Sequence, residues 1–211
     1  MINSCRSSAS HFLFVASIGC GIATPGKTSA QEEPFGLRMG MTVRQLQRAT
    51  GAVADSGLPG MYSSFRVPRS NPFINDYTFF VAPSTGLCAV SASGIPVRTD
   101  SYGTELRARF DFIQEALDQK YGPHKTVDEL RKGSLWGDSH DWMMALFLKD
   151  RVLRSGWLVA ETNGNPSAPV RFVALKAQAK NSLSGFVHVS YQFSNFDKCL
   201  KELKKLGNSS L

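Results

Sequence analysis

From Phe35 onward, stretches whose apolar residues recur every three or four positions give way to stretches where they alternate or run together. Thr42 and Gln45 form a capping box, each able to satisfy an orphan amide at a helix start. Met41 and Leu46 have the spacing of a hydrophobic staple, and Gly51 suits a C-terminal cap. The spacing predicts a helix over Val43 to Thr50 with Val43, Leu46 and Ala49 on one side. Three strand-like runs follow: Met61 to Val67, Tyr77 to Ala82 and Leu87 to Ala92, punctuated by Pro68 to Pro72 and Pro83 to Gly86. Their aromatic and β-branched content favours antiparallel hairpins.

In the next stretch Leu106, Phe110, Ile113, Leu117 and Tyr121 mark one apolar face of a helix over Thr104 to Tyr121, stopped by Gly122-Pro123. Strands are expected at Trp142 to Leu148, Val152 to Ala160, Val170 to Ala177 and Phe186 to Phe193. In the last of these, Val187, Val189, Tyr191 and Phe193 alternate with Phe186, His188, Ser190 and Gln192, so one face is the more core-like. A terminal helix over Phe196 to Leu206 carries Phe196, Cys199, Leu200 and Leu203 on one stripe. The order predicts an α+β fold, helices packed on antiparallel sheet, as two fused helix-plus-sheet units over residues 31–98 and 99–211. The halves share no convincing sequence repeat.

The first thirty residues follow a different logic. Arg6, the apolar stretch Phe12 to Ala23 and the small residues Thr28-Ser29-Ala30 read as a secretory signal cleaved after Ala30, leaving a periplasmic or secreted protein. The apolar stretch falls short of the roughly 20 residues a membrane span needs, so no transmembrane span is expected in the mature chain. Ser17-Ile18-Gly19-Cys20 offers the alternative of a lipid anchor at Cys20, with Ser17 where a leucine usually stands. Cys5 and Cys20 lie in this segment. Cys88 and Cys199 remain, and an even pair in an oxidising compartment predicts a disulfide. Closing so long a loop stabilises by at most about 4 to 5 kcal/mol on the chain-entropy model.

The formal net charge is +7, and losing Arg6 and Lys27 with the signal leaves a mildly basic chain. Its cations are scattered except for Lys201, Lys204 and Lys205, which argues against a nucleic-acid surface; an acidic protein partner or an anionic envelope surface would suit the charge, but simple solubility accounts for it more readily than either.

One polar segment invites a chemical reading: Trp136-Gly137-Asp138-Ser139-His140-Asp141-Trp142. It holds a nucleophile, a base and acids. In an extended segment neighbouring side chains point to opposite faces, so Ser139, His140 and Asp141 do not form a triad among themselves, and no Gly-x-Ser-x-Gly elbow is present. A metal site is a second option, with Asp138, His140 or Asp141 as ligands and His124 or His188 as further members, although no histidine pair has a short helical ligand spacing. The plainer reading is a turn in which Asp138 or Ser139 bonds local amides, with Trp136 in a glycine-flanked loop where a protein-binding anchor could sit. His188 reads as a surface or hydrogen-bonded structural histidine. No phosphate-cradling glycine loop, zinc knuckle or dinucleotide fingerprint is present, so no cofactor is implied.

The opening Phe35-Gly36-Leu37-Arg38-Met39-Gly40-Met41-Thr42 and its capped helix resemble the start of many small bacterial envelope proteins. Among these are the small outer-membrane assembly lipoproteins and the β-lactamase inhibitory proteins, which stack helices on an antiparallel sheet. The resemblance covers this opening and the helix-then-strands order; it implies a binding module rather than an enzyme and transfers no functional residue. The assembly lipoproteins carry a clean lipobox, and this chain departs from it. The function expected is therefore an exported, non-enzymatic protein-binding module, an inhibitor or immunity protein against a toxin or hydrolase, with Trp136, Asp138, His140 and Asp141 as its interaction loop. The alternatives are an envelope assembly or structural component, if Cys20 is lipidated, and a hydrolase using His140.

Overall fold

The computed structural model describes residues 33–55, 57–159 and 168–208. The export segment, its cleavage after Ala30 and Cys20 lie outside these residues. Helix α1 (Val43–Thr50) begins on the predicted capping box: the Gln45 amide donates to Thr42 Oγ1 at 3.3 Å and the Thr42 amide to Gln45 Oε1 at 2.8 Å. It ends at Gly51, whose φ of +69° is left-handed backbone that glycine adopts without steric cost. Four strands follow, β1 (Val53–Ala54), β2 (Met61–Ser64), β3 (Ile74–Ala82) and β4 (Gly86–Gly94), then the short β5 (Val97–Arg98).

Helix α2 (Thr104–Tyr121) buries the five residues of its predicted stripe, and β6 (Lys125–Leu130) comes after it. The segment Trp142 to Leu148, expected as a strand, is instead helix α3 (Trp142–Phe147), entered through a 3-10 turn over Ser139–Asp141. Periodicity cannot separate a short apolar run into helix or strand, and Met143, Met144, Ala145 and Leu146 are all strong helix formers. β7 (Arg151–Leu158), β8 (Val170–Asn181) and β9 (Ser184–Phe193) complete the sheet, and α4 (Phe196–Asn208) ends the described chain. The last residue of the strand expected to reach Ala160 lies outside the described residues.

The fold is α+β, with helices α1 to α4 and one antiparallel sheet among the described residues. Its strand order is β1-β2-β3-β4-β9-β8-β7-β6, with β5 also paired to β9. Each half of the chain lays down a meander, β1 to β4 and β6 to β9, and the last strands of the two meanders, β4 and β9, pair with each other. Ser91 stands opposite Ser190 within that pair. Both predicted units thus share one continuous sheet, and residues Gln31–Leu211 make a single compact unit.

One face of the sheet forms the core. Tyr77 and Phe79 of β3, Val90 of β4, Trp157 of β7, Val173 and Leu175 of β8, and Val187, Val189 and Phe193 of β9 cluster with Leu46, Leu106, Phe110, Met143 and Leu146 from the helices. The approach of α2 is close: a side chain added at Gly185 would run into Leu106 and the Gln178 carbonyl.

The other face carries α4 at one end. Cys88 and Cys199 are joined by a disulfide with Cα atoms 6.2 Å apart, as predicted, and Ala82, Phe80, Phe196 and Leu203 pack around it. Two further ties hold α4. Glu202 accepts hydrogen bonds from the amides and hydroxyls of Ser84 and Thr85 in the β3–β4 turn, and Asn195 donates to the Thr85 and Leu87 carbonyls. Among the described residues no helix is long and apolar enough to cross a membrane.

Candidate functional site

The loop singled out in the sequence is anchored at its base by Asp150, a buried carboxylate. Ser134 Oγ donates to Asp150 at 2.9 Å, the Arg131 guanidinium pairs with it at 2.7 Å, and the Trp136 amide donates to Ser134 Oγ. Beyond that base the loop turns outward. Leu135 is 90% exposed, Trp136 half-buried, and Asp138 and His140 open to solvent.

Residues 139–141 are helical rather than extended, which changes the expected geometry. His140 Nε2 comes within 3.4 Å of Asp141 Oδ1, and donor atoms of Asp138, His140 and Asp141 all lie within 4.8 Å of one another. Such a donor set could hold a divalent cation at three positions. The other histidines do not join it. His124 Nδ1 is 2.7 Å from Asp118, which also accepts the Trp157 indole N–H, and His188 is committed elsewhere. The turn reading also takes a different form from the one expected, because the Asp138 backbone carbonyl, not a side chain, accepts the Asp141 amide. Trp142 and Trp157 are core residues.

A larger feature was only half visible in the sequence. The pairing register and the two-residue side-chain period arrange the sheet face that carries α4 into rows that run across the strands. One row is Asp76, Ser93, His188, Lys176 and Arg154. Beside it lies a row of small residues, Ser63, Thr78, Ser91, Ser190, Ala174 and Gly156, with Lys125 of β6 opposite Gly156 at its end. The third row is more apolar: Met61, Phe80, Ala89, Gln192, Phe172 and Leu158. Helix α4 crosses this third row over β3 and β4, while Phe172 and Leu158 lie further along it. The alternation in β9 signalled this face; the matching Ser91 and Ser93 in β4 sit in a run buried nearly throughout, where alternation is hard to see.

His188 is at the centre. Its Nε2 is 2.8 Å from Ser91 Oγ and its Nδ1 3.1 Å from Ser93 Oγ, so both ring nitrogens are occupied. Burial, reinforced by the nearby Lys176 ammonium and partly offset by Asp76, holds the imidazole below its ordinary pKa. The pair has the reach of a serine nucleophile and its base. Yet β4 and β9 are each paired on both sides, so their amides serve the ladder, whereas an oxyanion hole needs donors free to point at substrate. The arrangement is a neutral hydrogen-bonding patch with Lys176 and Arg154 on one side and Asp76 on the other.

Comparison with protein-family models, curated proteins and solved structures finds no match.

Proposed function

We propose that this chain is an exported, non-catalytic protein-binding module of the inhibitor or immunity-protein kind, and that the part of this sheet face left open beside α4 is its binding surface. The observation that carries the reading is the composition of that face. Lys125, Arg154 and Lys176 gather on β6, β7 and β8 beside exposed Leu158 and half-buried Phe172, with small residues between. Flat, polar-rimmed surfaces with aromatic anchors suit protein partners, and three cations against Glu129 on that end of the face favour an acidic one. The loop tipped by Leu135 and Trp136 is a second contact element in the same reading.

A photo-crosslinking residue at Ser190, with the folded protein as bait in an envelope extract, tests this. A discrete adduct from Ser190 and none from Glu115, which is exposed on α2, is the expected result. No adduct at Ser190, or equal adducts at both positions, would remove the proposal.

A further inference from the structure

Where α4 crosses the sheet it leaves a cleft of about 240 Å³. Phe80, Ala89 and Cys88 form its floor, and Phe196, Leu200 and Leu203 of α4 its far wall. Ser91, Ser190 and Gln192 stand on its open side. An apolar cavity of about 150 Å³ is already large enough to take up benzene, so this space accommodates a substituted ring. It is smaller than the roughly 300 to 1,000 Å³ of sites that take drug-sized ligands.

The polarity of the lining narrows the class of ligand further. No Lys, Arg, Asp, Glu or His lines the cleft. A charged group moved into it would lose its hydration with no opposite charge to replace it. Ser91, Ser190 and Gln192, on the α4 side of the sheet, bring two hydroxyls and a primary amide to the lining, groups that exchange hydrogen bonds with a hydroxyl of either polarity. Ser91 is already bonded to His188 Nε2, which fixes its oxygen in place.

The walls are also held still. The Cys88–Cys199 bridge, the Glu202 contacts to Ser84 and Thr85, and the Asn195 contacts to Thr85 and Leu87 tie α4 to the hairpin beneath it. A cleft whose walls are fixed in advance binds without a further ordering cost. We infer that this cleft is a binding site for a small uncharged amphiphile, an aromatic ring or short branched chain bearing one hydroxyl. The ring lies between Phe80 and α4, and the hydroxyl faces Ser91, Ser190 and Gln192. The cleft lies at one edge of the proposed protein-binding face and shares Ser190 with it, but small-molecule binding here does not rest on that reading.

The test uses the folded, disulfide-bonded protein and two probes of similar size, neutral 4-ethylphenol and anionic 3-phenylpropanoate, followed by methyl and aromatic NMR shifts. Saturable shifts from 4-ethylphenol at Leu200, Leu203, Phe80 and Phe196 are expected, with at least about tenfold weaker binding of the anion. Leu200→Trp, on a partly exposed position of α4, should fill the cleft and abolish the shifts. Ser190→Ala should weaken 4-ethylphenol about fivefold, the loss of one hydrogen bond. Absence of shifts up to the solubility limit, shifts away from α4, unchanged binding in Leu200→Trp, or equal binding of the two probes would each overturn the assignment.

Discussion

His188 of β9 and Ser91 of β4 meet across the central strand pair, imidazole Nε2 to hydroxyl Oγ at 2.8 Å, with Ser93 Oγ on the other ring nitrogen. The bond ties β4 of the first half of the chain to β9, the last strand of the second. Burial, with Lys176 nearby, lowers the pKa of the imidazole there, which gives folding a pH dependence with a definite sign.

The folded protein holds His188 below its ordinary pKa, so the unfolded chain takes up the proton first as pH falls. The contribution of His188 to stability is complete above about 6.5, the unfolded value, and is lost as pH falls through the lower folded value. Urea midpoints measured from about pH 8 down to pH 5 should decline in that window. In His188→Gln the decline should flatten. An unchanged slope would show that His188 does not cause it.

Glu202 works in the acid range. Four hydrogen bonds from Ser84 and Thr85 depress its carboxyl from 4.5 to about 2. Its stabilising contribution is therefore present above about 4.5 and lost as pH falls through about 2. Thermal unfolding of Glu202→Gln should show a shallower acid limb than wild type. The Ser84 and Thr85 amides should also exchange faster in the variant.

The disulfide closes a loop of sequence separation 111. Removing it as Cys88→Ala with Cys199→Ala should cost about 2 to 5 kcal/mol in denaturant unfolding. Hydrogen exchange should locate the loss first in α4 and the β3–β4 turn. A loss spread evenly over the sheet would contradict the role given to α4.

Two phenylalanines on α2 separate core from surface. Phe110 is 1% exposed within the main cluster, while Phe112 is 59% exposed and meets Phe73 edge-on at 5.6 Å. Phe110→Ala should destabilise by about 3 to 5 kcal/mol and Phe112→Ala by less than about 1 kcal/mol, read from urea midpoints.

These contrasts follow what the sequence made legible. Helices α1 and α2 were readable to the residue because each is bounded by unambiguous backbone chemistry, Thr42 with Gln45 and Gly51 for one, Gly122-Pro123 for the other. The disulfide followed from counting the cysteines outside the segment read as an export signal. β6 escaped notice because Lys125 to Leu130 is an edge strand with only Val127 and Leu130 apolar, so it shows no alternation. β1 and β5 are two residues each, too short for any period. α3 was misassigned because a run buried on nearly every side leaves no periodicity to read.

The candidate surface was legible only in pieces. The polar face of β9 was visible along the chain, but its continuation through Ser91, Lys176 and Arg154 depends on strand order, which arises from pairing between distant segments. The loop from Trp136 to Asp141 stood out by composition, and the structure gives it a solvent-facing tip. What brings Asp138, His140 and Asp141 together is a helical turn that the sequence alone read as extended.

The central claim is that the sheet face left open beside α4 binds a protein, and Ala174, in the row of small residues, is the position that tests it most directly. Affinity for the partner captured through Ser190 should fall at least about a hundredfold in Ala174→Arg, which places a long charged side chain in the middle of the surface, and stay unchanged in Asp111→Arg on the opposite side. Equal affinity of Ala174→Arg and wild type, both folded, would contradict the account.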